Sequence, residues 1–205
     1  MKIIIGLLTG IKMQARRDLC DATWVPVAES LGFDVVYLFG SNVPATRNGR
    51  ELHLPCPDGY PFLPQRTREF CKWGVDQGAD YLFKADDDTL VHPWRLKEFA
   101  ATLTEDYVGH EPGGGFVGYA SGGAGYFLSR LAAQCVAEKL SHTRGAEDKL
   151  VGKLLKRSGV AFSQNDNFVP WGRLGVPLPD NELITSHKMA PVRWMTNWRL
   201  CRSEY

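Results

Sequence analysis

The sequence predicts an α/β fold in which a mixed, mostly parallel central sheet is flanked by helices. Apolar runs bounded by turn residues alternate with segments of helical period, as in βα units rather than a β-sandwich. Three of those runs, IIIGLL, VVYLF and YLFKA, fall in the first 85 residues, the first two each followed by a helix or a turn-rich loop. The 205 residues suffice for one well-buried domain, and 44% hydrophobic with 23% charged is ordinary globular composition. A single domain over 1–205 is expected, regular to about residue 90 and less regular from about residue 91 onward.

IIIGLL is the first strand. A helix is predicted from about Arg16 to Leu31, because Leu19, Cys20, Trp24, Val27 and Leu31 recur at three- and four-residue steps and Gly32 would end it. VVYLF, residues 35–39, is the second strand, and GSNVPATRNGR reads as a loop rich in turn formers. A helix over roughly Thr67 to Gln77 stops at Gly78, and YLFKA then delivers Asp86, Asp87 and Asp88 to the carboxyl end of a third strand. Beyond them come a short helix near Trp94 to Leu103, the glycine-rich EPGGGFVGYASGGAGYFLSR, and a helix from about Ser129 to Leu140. GAEDKLVGKLLKRSG is a strong helix with Leu150, Val151, Leu154 and Leu155 on one face and Gly159 as its stop. The last part reads as a strand through Leu183 and Ile184, a turn and a short helix.

A formal net charge of +1 with interspersed Lys and Arg gives no extended basic face, so nucleic acid is not expected as a partner. MKIIIGLLTG is too brief for a membrane span and lacks a signal-peptide cleavage pattern. Cys20, Cys56, Cys71, Cys135 and Cys201 sit singly, which disfavours a zinc cluster and fits a reducing, cytoplasmic setting. Cys56 and Cys71 could pair in an oxidising compartment.

The chemistry concentrates around the three adjacent carboxylates. They repel one another, and a bound cation would remove the penalty, while the bland alternative is a solvated acidic turn. On extended backbone Asp86 and Asp88 face one way and Asp87 the other. Converging carboxylates suit Mg²⁺ or Mn²⁺ shared with phosphate oxygens, and an imidazole from His187 would shift the preference towards Mn²⁺. Ligands in open α/β sheets bind beyond the carboxyl ends of the strands, so Thr9 and the triplet line one crevice if their strands are neighbours. Glu147 and Asp148 open a helix, where they either complement its dipole or supply a general base. SGGAG lacks the lysine and hydroxyl of a P-loop and suits close backbone approach to a substrate. Trp171, Trp194 and Trp198 either stack on a sugar or base or fill the core.

Taken in order, YLFKADDDTLVHP, YASGGAGYFLS, GAEDKLVG and ITSHKM resemble the fringe and β-1,3-galactosyltransferase family, inverting glycosyltransferases of the GT-A fold. The similarity runs from about Phe62 to Met195. It implies a single Rossmann-like GT-A domain over 1–205, with the nucleotide-binding half to about 90 and the acceptor-binding half after it. It also implies a UDP-sugar donor, Mn²⁺ (with Mg²⁺ as the alternative) and a hydroxyl of a glycan or glycoconjugate as acceptor. Asp88 and His187 would be metal ligands, and Asp86 would hold the metal, its bound water or the donor ribose. Asp148 would be the catalytic base, with Glu147 supporting it or binding acceptor. Thr9 and Arg17 would lie by the nucleotide, with Lys84, Asp87, Gly122 and Gly123 as further donor contacts. Asp21 stands where the galactosyltransferase branch often has a basic residue, and Lys149 where it favours valine. The anchor and paired luminal cysteines of animal members are missing, so a cytoplasmic enzyme is expected, acting alone or fused to other glycosyltransferase domains.

Two rival readings have other sequence consequences. DDDT superficially resembles the DxDxT loop of haloacid-dehalogenase-like phosphohydrolases, but Thr89 follows Asp88 immediately and would have to come one position later. A non-catalytic sugar-nucleotide or glycan-binding module would not need the full set Asp86, Asp88, Asp148 and His187.

Overall fold

Side chains of the first strand alternate between two apolar layers, which marks it as central and buried on both faces: Ile3, Ile5 and Leu7 enter one core, Ile4 and Leu8 the other. The computed structural model describes residues 1–113, 115, 118–141, 144–170, 183–188, 194–196 and 198–199. The strands are β1 (Ile3–Leu8), β2 (Asp34–Ser41), β3 (Thr46–Asn48), β4 (Glu51–Pro55), β5 (Tyr81–Asp86), β6 (Thr89–Val91), β7 (Tyr107–Gly109), β8 (Tyr126–Ser129), β9 (Ser163–Gln164), β10 (Phe168–Val169) and β11 (Thr185–His187). The α-helices are α1 (Gln14–Asp21), α2 (Trp24–Ser30), α3 (Leu63–Asp76), α4 (Pro93–Ala101), α5 (Arg130–Lys139) and α6 (Glu147–Arg157).

A mixed sheet of order β3-β4-β2-β1-β5-β8-β7-β9 forms the centre, and a second, smaller sheet, β10-β11-β6, packs against it through Leu90, Val91 and Phe168. The pairings β1–β2, β1–β5, β2–β4 and β7–β9 are parallel, whereas β3–β4, β5–β8 and β7–β8 are antiparallel. Helices α1, α2 and α4 cover one face through Cys20, Trp24, Ala28, Leu96 and Ala100. Helices α3, α5 and α6 cover the other through Phe70, Cys71, Val136, Val151 and Leu155. No helix among the described residues is long and apolar enough to cross a membrane.

Several predicted elements are corrected. The helix expected over Arg16–Leu31 is two, broken at Ala22 and Thr23. Pro26 has no N–H to give the carbonyl four residues back, so it is tolerated only in the first turn of a new helix. The loop after β2 contains the hairpin β3–β4, turned at Gly49 with φ 58°, for which Asn48-Gly49 is the sequence signal. Strands β7 and β8 flank the glycine-rich stretch, and α3 starts at Leu63 rather than Thr67. The late strand covers Thr185–His187 instead of Leu183 and Ile184.

Trp194 and Trp198 belong to the core: Trp194 donates to Thr23 Oγ1 at 3.1 Å, and Trp198 stacks on Trp94 with centroids 5.8 Å apart. Trp171 lies outside the described residues. Cys20, Cys56, Cys71 and Cys135 are buried free thiols, so Cys56 and Cys71 do not pair, and Cys201 is outside the described residues.

His92 sits buried at the start of α4, and its backbone N–H donates to Ile184 O at 2.9 Å. Burial, then the charge of Arg95, lowers its pKa from 6.5 to about 3. The unfolded chain therefore takes up this proton first, and stability is lost as pH falls below 6.5 towards 3. Urea titrations between pH 7.5 and pH 5.5 are expected to show a decline of up to about 1.4 kcal/mol per pH unit from this group, absent from His92→Gln.

Candidate active site

Parallel pairing of β1 with β5 puts Leu8 opposite Asp86, so both strands end at the same edge of the sheet. Thr9 and the aspartate triplet therefore line one crevice. Thr9 Oγ1 donates to Asp87 Oδ2 at 2.6 Å, and the Asp87 backbone N–H donates to Leu8 O at 3.1 Å. Asp87 is buried on this side, and burial pushes its carboxyl up while Thr9 and Arg16 oppose the shift. Arg17 is buried too and donates to Thr9 Oγ1, Gly10 O and Gln14 Oε1 at 3.1, 2.6 and 2.6 Å, bracing the loop after β1. Asp21 faces elsewhere, accepting from Tyr37 and Arg50 at 2.7 and 3.0 Å.

Asp86 and Asp88 turn the other way, towards His187. Antiparallel pairing of β11 with β6 sets His187 opposite Thr89, beside Asp88. Ligand atoms of Asp86, Asp88 and His187 all lie within 4.8 Å of one another. His187 Nδ1 is 2.8 Å from Pro170 O, an acceptor only, so this nitrogen carries a proton. In the neutral ring Nε2 is then the acceptor, and it stands 3.1 Å from Asp88 Oδ1 and 3.9 Å from Asp86 Oδ2. Asp88 Oδ1 is buried and, among the described residues, has no hydrogen bond of acceptable geometry despite that approach. Two acceptors this close need a proton or a cation between them, and a backbone-anchored histidine is how proteins orient a metal ligand. The donor set of two carboxylates and an imidazole fits Mn²⁺ better than Mg²⁺.

Cations of the chain already compensate the triplet in part. Arg16 Nη1 lies 3.0 Å from Asp87 Oδ1 and 3.1 Å from Asp88 Oδ2. Burial alone would raise the Asp88 pKa, but the His187 ring when protonated, and Arg16, hold it below the usual carboxylate range. Arg16, rather than the Arg17 that the sequence suggests, meets the triplet. Lys84, at 2% exposure, is 3.2 Å from Asp86 Oδ1, 3.1 Å from Glu147 Oε2 and 3.0 Å from Gly122 O. Burial pushes this ammonium down, but Asp86, Glu147 and Asp148 outweigh it and hold the group above its usual range.

Glu147 and Asp148 part company at the start of α6. Glu147 is buried, accepts from Tyr126 OH and pairs with Lys84, and burial raises its pKa. Asp148 is only partly buried; its Oδ2 accepts from the Gly122 N–H at 3.2 Å and its Oδ1 from the Lys149 N–H at 2.7 Å. The glycines of SGGAG make this packing possible. A Cβ on Gly123 would lie 2.1 Å from His187 Cε1, and one on Gly122 would lie 2.9 Å from Glu147 Oε2 and 3.0 Å from Lys84 Nζ. Thr89 and Thr185 hydroxyls pin the carbonyls of Gly123 and Ala124, each at 2.6 Å.

No known protein family's profile matches the chain. Among solved structures, it is similar to a glycosyltransferase involved in glycosylation of the major capsid of PBCV-1, with TM-score 0.62 and 12% identity over 98% of this chain and 100% of that one. Drosophila β-1,4-galactosyltransferase 7, in a mutant complex with manganese, UDP-Gal and xylobiose, gives TM-score 0.56 and 10% identity over 94% of this chain and 73% of that one. GlyE of Streptococcus pneumoniae TIGR4, also a glycosyltransferase, gives 0.55 and 10% over 99% of this chain and 62% of that one. The fold is thus the Rossmann-like GT-A fold of nucleotide-sugar glycosyltransferases.

Two substitutions test the internal supports. Gly123→Ala should displace the His187 ring and weaken Mn²⁺ binding about 10- to 100-fold, read by electron paramagnetic resonance of free Mn²⁺, while leaving the circular dichroism spectrum unchanged. Lys84→Met leaves Glu147 buried without its cation and should cost about 3–5 kcal/mol in urea unfolding.

Proposed function

We propose that the protein is a metal-dependent inverting glycosyltransferase that moves a sugar from a UDP-sugar to a hydroxyl of a glycan or glycoconjugate. The observation that carries this reading is the Asp86, Asp88 and His187 cluster at the carboxyl ends of β1 and β5. A divalent cation bound there supplies Lewis-acid neutralisation of the departing diphosphate. The galactosyltransferase of the same fold, solved with manganese and UDP-Gal, supports the choice of metal and donor.

In this reading Asp88 and His187 are direct ligands, and Asp86 joins them or holds a metal-bound water. Asp148 is the general base. Its position across Gly122 from the Lys84–Asp86 contact puts a carboxylate next to the donor site without burying it, as a base that must reach an incoming hydroxyl requires. Asp148 takes the acceptor's proton as the acceptor oxygen bonds to the anomeric carbon from the face opposite UDP. The bond to the diphosphate oxygen breaks with its electron pair, and the configuration inverts. Glu147 positions Asp148 through the Lys84 and Tyr126 contacts rather than meeting the acceptor itself.

Thr9, Arg17 and Asp87 shape the donor loop, and Gly122 and Gly123 shape the crevice floor. Residues 1–205 act as one GT-A domain, with the donor half to about residue 90 and the acceptor half beyond it. The order of the acidic triplet, the SGGAG segment, Glu147-Asp148 and His187 supports a place near the fringe and β-1,3-galactosyltransferase enzymes.

Isothermal titration with UDP should show Mn²⁺-dependent binding that Asp88→Ala abolishes. Asp148→Asn should keep that binding and lower transfer about 10²- to 10⁴-fold. Undiminished transfer in Asp148→Asn would remove the base assignment, and UDP binding indifferent to Mn²⁺ and to Asp88→Ala would remove the metal site.

A further inference from the structure

We infer that Arg16 is a donor-binding residue that neutralises Asp87 and Asp88 before the donor arrives and takes the diphosphate of the nucleotide sugar once it is bound. The inference rests on the donor reading above and names a contact that reading does not contain. Three features single out Arg16. A single nitrogen, Nη1, makes both carboxylate contacts, at 3.0 and 3.1 Å. Among the described residues, the remaining guanidinium donors make no hydrogen bond. The side chain is 47% exposed, whereas its neighbour Arg17 is buried and spent on Thr9, Gly10 and Gln14.

Charge balance supplies the reason. The three aspartates, Glu147 and Asp148 oppose Arg16, Arg17 and Lys84, which leaves two negative charges for a divalent cation to cancel. A diphosphate then adds negative charge that the buried cations are not placed to meet, since Lys84 is enclosed by Asp86, Glu147 and Gly122 and the donors of Arg17 are taken by Thr9, Gly10 and Gln14. Arg16 combines a permanent charge, unused fork donors and solvent access beside Asp88, and guanidinium suits phosphate oxygens geometrically. Asp87 loses little when Arg16 turns, because Thr9 and the buried backbone still hold it.

This arrangement predicts opposite effects on metal and on nucleotide. Removing Arg16 takes a positive charge away from Asp88, so Arg16→Ala should bind Mn²⁺ alone about threefold more tightly or better, by paramagnetic resonance titration. With Mn²⁺ saturating, the same variant should bind UDP about tenfold more weakly. Uridine, which has no phosphate, should bind as to the wild type. Arg16→Lys should restore Mn²⁺ affinity to the wild-type value but only part of the UDP affinity. Arg16→Gln repeats the titrations if the alanine variant melts below the wild type. Mn²⁺ affinity that falls or stays constant overturns the inference, as does a parallel loss of UDP and uridine. A wild type that binds Mn²⁺ but not UDP overturns the proposed donor and the diphosphate contact together, whereas UDP binding retained in full by Arg16→Ala overturns the contact alone.

Discussion

A buried ammonium has to be paired, and in this fold that constraint falls on Lys84. Its partners come from three separated parts of the chain: Asp86 at the end of β5, Gly122 in the glycine-rich segment and Glu147 at the start of α6. Each partner adjoins a group with a proposed chemical role. Asp86 belongs to the metal cluster, Gly122 donates to Asp148, and Glu147 precedes Asp148 in the same helical turn. The ammonium thus sets the distance between the Asp86, Asp88 and His187 cluster and Asp148 from the inside, without itself being exposed. Tyr126, paired with Lys84 in the β5–β8 register and bonded to Glu147, closes the arrangement.

The same electrostatic demand explains why three aspartates can stand in a row. Their charges are divided among different cations rather than left to one. Asp87 turns into the loop after β1, where Thr9 and Arg16 meet it; Asp86 leans on Lys84; and Oδ2 of Asp88 also meets Arg16. What stays uncompensated is the buried Oδ1 of Asp88, on the side where His187 presents its second nitrogen. A solvated acidic turn would not bury that oxygen. The residual charge is therefore localised, and its location is where a divalent cation has three donor atoms available.

Much of this was legible in the sequence because period-2 and period-3.6 patterns reach from one residue to its near neighbours. IIIGLL, VVYLF and YLFKA lie in strands, and Asp87 does face away from Asp86 and Asp88, although Asp87 and Asp88 form a turn between β5 and β6 rather than the extended backbone the sequence suggests. Pro26 and Asn48-Gly49 were equally local signals, and reading them would have divided the first helix and revealed the hairpin. Other features had no local signal. Arg16 and Arg17 are adjacent and identical, and only the direction of α1 relative to β5 decides which meets the triplet and which braces Thr9. Glu147 and Asp148 looked equivalent for the same reason, until the depth of the Lys84 pocket separated them.

The mixed character of the sheet is itself part of the site. A purely parallel sheet ends all its strands at one edge and then leads the chain away through helices. Bringing main chain back across that edge requires a strand that begins there, which is what the antiparallel β8 does beside β5. SGGAG precedes β8 and so crosses the crevice by topology, whatever its own conformational preferences. The small sheet carries Thr89 and Thr185, which hold the crossing segment by its carbonyls, and His187, which lies against it. At that seam the Gly123 Cβ direction is already filled by the imidazole. Glycine is needed there so that a histidine can reach two aspartates, a requirement set by the protein's own side chains.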